Sequence, residues 1–157
     1  VPTRLRLPQI EQRPKKVHRA KSYRDIVGLD KRPDLAKAIV TIVRNIEHGT
    51  PLPHGYYRSG IGHTPDELLE IDGIMHLHLG HPGTRELLFL IQYSDHVLLL
   101  EVSDHAHFAD DPPGTVLKAL HEHKVRAQEA ELETARKREA DELRERVRGG
   151  LKGDASP

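Results

Sequence analysis

Residues 86–103, "ELLFLIQYSDHVLLLEVS", constrain this chain more than any other stretch. The segment "ELLFLIQY" is apolar at almost every position, without the alternation that leaves one strand face wet. Such a strand has to be covered on both faces, so it is expected at the centre of a sheet. "SD" is a tight connection, and "HVLLLEVS" reads as the partner strand, with Glu101 as its polar residue. Just before this hairpin, "GIMHLHL" alternates strictly. Met75, Leu77 and Leu79 fall on one face and His76 and His78 on the other. "GHPGT" is the turn between.

Three antiparallel strands need a cover. "RPDLAKAIVTIVRNIEHG" provides one, because Leu35, Ala38, Ile39, Ile42, Val43 and Ile46 recur at the spacing of one helical face. Pro33 suits its first turn and Gly49 its end. "SYRDIVGL" reads as a further short helix, with Ser22 as N-cap and Gly28 as stop. The expected fold class is α+β: N-terminal helices packed on a small antiparallel sheet, followed by a long charged C-terminal helix. That helix, from about Thr115 to Arg148, has only a thin apolar stripe of Leu132, Ala140, Leu143 and Val147. It reads as a protruding charged element, with i,i+4 pairs such as Glu133–Lys137 and Glu142–Arg146. The organisation is then a basic flexible arm over 1–20, an α+β domain over 21–112, the charged helix over 113–150 and a disordered tail over 151–157.

The formal net charge of zero hides a division. Residues 1–50 carry 12 Lys/Arg against 5 Asp/Glu, a surplus of +7, and residues 51–123 carry 3 against 11, or −8. The basic head suits phosphates or an acidic partner, or equally an arm that folds back onto the acidic centre. The chain has no cysteine, which excludes disulfides, thiolate catalysis and cysteine-held zinc. No stretch is long and apolar enough to span a bilayer and no secretory leader is evident, so a cytoplasmic protein with no membrane partner is expected.

The helix "DLAKAIVTIVRNIEHGTPLP", a glycine-bearing loop, a strand with histidines, the hairpin and the closing "SDHAHF" together resemble the RelE/ParE superfamily of bacterial toxins. "IMHLHL" followed by "LLFLIQYSDHVLLLEV" is most similar to the YafO-type mRNA interferase toxins. The resemblance covers roughly residues 32 to 110. It implies a small α+β toxin of a toxin–antitoxin pair, with mRNA, possibly on the ribosome, as substrate and a cognate antitoxin protein as partner. It also implies an endoribonuclease that needs no cofactor. His105 and His107 match the family's C-terminal histidine position, and His76 and His78 match the strand histidines of the YafO-type pattern.

The residues allow that chemistry. Cleavage by 2′-hydroxyl attack needs a base, an acid and charge stabilisation at phosphorus, and imidazoles titrate in the useful range. The candidate catalytic set is His105, His107, His78, His76 and Arg58. Candidate substrate contacts are Tyr56, Tyr57, Tyr93, Arg85, His54 and His63. Two other readings use the same sequence. His76, His78, His105, His107 and Glu101 could hold a metal ion in a small enzyme or sensor. A toxin-like domain could also act without catalysis, as a binding module.

Overall fold

The computed structural model of the chain describes residues 2–57, 68–80, 85–104 and 115–154. Strand β1 (Lys16–Asp25) is followed by helix α1 (Pro33–His48). Strands β2 (Ile74–His78), β3 (Leu87–Gln92) and β4 (His96–Ser103) come next, and then helix α2 (Thr115–Asp154). Short 3-10 turns occupy Leu29–Lys31 and His54–Tyr56, and a π-helical turn spans Leu68–Asp72.

The strands form one mixed sheet in the order β1-β4-β3-β2. The β2–β3 and β3–β4 pairs are antiparallel, as expected, whereas β1 runs parallel to β4. Every residue of β3 and of β4 is buried. Two separate cores account for this. On one face, Met75, Leu77, Leu88, Leu90 and Leu99 pack with α1 through Leu35, Ala38, Ile39, Ile42 and Ile46. On the other, Ile74, Phe89, Ile91, Leu98 and Leu100 pack with Leu117 and Val125 of α2. Pro33 opens α1, and Gly49 closes it in the left-handed region at φ 72°. A Cβ on Gly49 would also lie 2.6 Å from the Pro14 nitrogen, so only glycine fits.

The N-terminal quarter departs from expectation. The proposed helix at 22–29 is instead the end of β1 and the turn after it. Ser22 is no helix cap, because its Oγ lies 3.2 Å from His121 Nδ1. The Asp25 carboxylate accepts the N–H groups of Val27, Gly28 and Leu29 and shapes the turn. Residues 2–15 run against the sheet: the Leu5 N–H donates to Gln92 O at 2.8 Å, and Ile10 is buried. Lys15 is buried too, donating from Nζ to Glu11 Oε1, Gln92 Oε1 and Tyr93 O at 2.6–2.9 Å.

Helix α2 is a composite. Its 40 residues extend about 60 Å, against about 27 Å for the longest sheet-centre strand. Leu117, His121, Val125 and Glu129 form its buried stripe at i,i+4 spacing, whereas every residue from 134 to 150 is exposed. The expected protruding helix is therefore its second half, and the first half is a layer of the domain.

Leu90→Ala should destabilise the chain by about 2–5 kcal/mol in urea unfolding. Ending the chain after Glu139 should shift the urea midpoint little, since the side chains removed pack against nothing described.

Candidate functional site

The pleat decides where the first histidine pair goes. With Met75 and Leu77 committed to the α1 core, His76 and His78 stand on the α2 face beside Ile74. They are half-buried, with ring centroids 5.3 Å apart and planes inclined at 67°. His76 also tilts toward Phe89 across the strand, at 6.3 Å.

Strand register connects this pair to the end of β4. His78 is opposite Leu87, and Leu87 is opposite Ser103. The last residue of β2 and the last residue of β4 thus share one end of the sheet, two interstrand spacings or about 10 Å apart. From there the chain enters "DHAHF". His105 and His107 lie outside the described residues, as do Arg58 and His63. Arg85 is exposed at the same end, next to Glu86, which accepts from Arg32 Nη1 at 3.0 Å. Burial opposes ionisation of Glu86, but its hydrogen bonds and Arg32 hold its pKa below the usual carboxylate range.

Other candidates are placed elsewhere. Tyr93 is no exposed stacking platform: it is 1% exposed and its hydroxyl donates to the Glu129 carboxylate. Tyr56 and Tyr57 pack against the α1-side core, where the Tyr57 hydroxyl oxygen accepts the Ile10 N–H at 3.0 Å. They belong to the sheet face opposite His76 and His78. His54 is exposed on its 3-10 turn. Glu101 is fully buried and ion-paired with Arg24, and its Oε1 lies 3.5 Å from His121 Nε2. Among the described residues no three His, Asp or Glu side chains are grouped to hold a metal ion.

No known protein family, curated protein or solved structure matches this chain.

What the sequence reading missed is a polar layer between α2 and the sheet. Arg4 donates to Glu129 at 2.9 Å, to Glu122 and to Asp72 O, which joins the N-terminal segment, α2 and the approach to β2. Burial opposes the Arg4 charge, yet the bond to Glu129 and the nearby carboxylates raise its pKa further. A second knot joins β1, β4 and α2. Asp95 bonds His96 Nδ1 at 2.8 Å and pairs with Arg136, and His96 stacks on Tyr93 at 4.2 Å. His18 is edge-on to His96 at 5.7 Å. Burial, then the His96 and Lys16 charges, push the His18 pKa down, against a smaller opposing pull from Asp95. The only available signal was the i,i+4 recurrence of Leu117, His121, Val125 and Glu129, where the polar members hide the apolar stripe.

Burial and the Glu129 carboxylate push the Tyr93 phenol far above its ordinary pKa. A raised folded-state pKa contributes stability that is complete below the unfolded value of about 10 and is lost as pH rises past it. The unfolding free energy of the wild type should therefore fall above pH 10, and Tyr93→Phe should flatten that fall. Glu129→Ala should cost about 1–3 kcal/mol at neutral pH by urea unfolding, because it leaves the buried Tyr93 hydroxyl without its acceptor, while Arg4 keeps Glu122.

Proposed function

We propose that the chain is a metal-independent endoribonuclease, the toxin of a toxin–antitoxin pair, cleaving mRNA by histidine acid–base chemistry at the end of the sheet where β2 and β4 both finish. One observation carries this reading: the register His78–Leu87–Ser103, which brings the β2 histidine pair and the chain leading into His105 and His107 to one edge.

In the proposed reaction, one imidazole takes the proton of a ribose 2′-hydroxyl. The freed oxygen attacks phosphorus and the bond from phosphorus to the 5′-oxygen breaks. A second, protonated imidazole gives its proton to that leaving oxygen. The products are a 2′,3′-cyclic phosphate and a 5′-hydroxyl. In this proposal His105 and His107 act as base and acid, His76 and His78 are the further candidate imidazoles, and Arg58 or Arg85 supplies positive charge to the phosphorane. Residues 140–150 of α2, all exposed, are the surface offered to a neutralising partner or the ribosome.

Inducible expression in a bacterial host tests the reading. Growth arrest with mRNA decay is expected from the wild type, and both should vanish in His105→Ala/His107→Ala and weaken in His76→Ala/His78→Ala. Circular dichroism of the purified variants should show retained structure. Normal growth with intact mRNA on wild-type expression would remove the ribonuclease reading.

A further inference from the structure

A cleft of about 450 Å³ opens between the N-terminal segment, the π-helical turn and α2. Arg4, Arg6, Lys118 and Arg126 line it, with the carboxylates of Asp72, Glu122 and Glu129. Four cations therefore face three anions. By contrast, the cleft beside His18 and His96 sets Lys16 and Arg136 against Asp95, Glu133 and Glu139.

Depth separates the charges further. The carboxylates are recessed, with side-chain exposures of 15% for Asp72, 22% for Glu122 and 2% for Glu129. They are engaged by Arg4, itself only 14% exposed, by Lys118 at 3.0 Å from Asp72 and by Arg126 at 2.8 Å from Glu122. The rim is cationic: Lys118 is 47% exposed, Arg126 is 73% exposed, and Arg6 is exposed. Arg6 donates to Ile71 O at 3.2 Å and has no carboxylate partner among the described residues. Each of these three positive side chains is more exposed than the carboxylates of the cleft. Exposed Ile71 adds an apolar shelf between them.

The chain leads from this cleft to the paired histidines. Asp72 in its wall is four residues before His76, so the two lie no more than about 14 Å apart. That is within reach of a few nucleotides of single-stranded RNA. Guanidinium groups bind phosphate oxygens through forked hydrogen bonds, and a strand offers phosphates at regular intervals. We propose that the cleft rimmed by Arg6, Lys118 and Arg126 holds backbone phosphates of single-stranded RNA and leads that strand to the histidines of β2. The ligand class rests on the ribonuclease reading; the cationic rim does not.

The test is fluorescence anisotropy of the full chain with a labelled single-stranded 2′-O-methyl RNA 12-mer, which 2′-hydroxyl attack cannot cleave, from 50 to 300 mM salt. Arg6→Gln/Arg126→Gln should weaken binding at least tenfold. It should also reduce the slope of log affinity against log salt by about 1.4, twice the single-strand value per phosphate. Lys137→Gln/Arg138→Gln, on the exposed second half of α2, removes the same charge and should change affinity less than twofold. Equal effects of the two double variants, or no effect of the first, would overturn the proposal. So would displacement of the RNA by polyglutamate at matched charge, which would make the rim a surface for acidic protein. Cleavage of unmodified RNA, free and on ribosomes, is read in parallel: rim-dependent binding with no cleavage in either form supports the cleft and sinks the ribonuclease, whereas cleavage indifferent to the rim does the reverse.

Discussion

The two-sided burial of the β3–β4 hairpin organises this protein. Leu87, Leu88, Phe89, Leu90 and Ile91 have no solvent exposure, and neither do Val97 through Leu100. At roughly 1.5–3 kcal/mol for each large apolar side chain buried, the hairpin is a large contiguous share of the favourable side of folding. One helix covers only one face. The chain must therefore return after β4 to place a second cover, and α2 is that cover. The candidate site is a consequence, because alternation along β2 sends Met75 and Leu77 to α1 and leaves His76 and His78 on the α2 side.

The second cover is chemically unlike the first. The stripe of α1 is aliphatic throughout, whereas that of α2 alternates Leu117 and Val125 with His121 and Glu129. Buried ion pairs contribute little net stability over apolar contacts of the same size, but breaking one is costly. Arg4–Glu129–Tyr93 and Arg24–Glu101–His121 therefore act more as registry pins than as glue. They fix where α2 crosses the sheet, and with it the cationic rim at Lys118 and Arg126.

Sequence patterns revealed the elements with a clean period. The α1 stripe, the alternation of β2 and the apolar run of β3 all appear in the structure where the residues indicate. β1 was illegible for a physical reason: it is an edge strand whose register slips between Arg19 and Arg24, so its side chains keep no alternation. Its ladder to β4 is a backbone interaction that leaves no mark in residue type. The buried half of α2 was obscured because His121 and Glu129 look like surface residues until Arg4, Ser22 and Tyr93 are brought to them. Of the candidate site, the sharing of one strand face by His76 and His78, opposite Met75 and Leu77, was legible, but its cover by α2 was not. The meeting of the β2 and β4 ends was not, because it depends on register, and neither was the burial of Tyr93.

The central claim is chemical and can be tested on purified protein. The full chain would be incubated with a defined single-stranded mRNA fragment, free with and without a chelator, and on translating ribosomes in their own magnesium buffer. Mass spectrometry would then read the new ends. The account predicts 2′,3′-cyclic phosphate and 5′-hydroxyl ends whose yield is unaffected by chelator. Intact RNA under both conditions, or 3′-hydroxyl and 5′-phosphate ends that form only with a divalent metal, would contradict it.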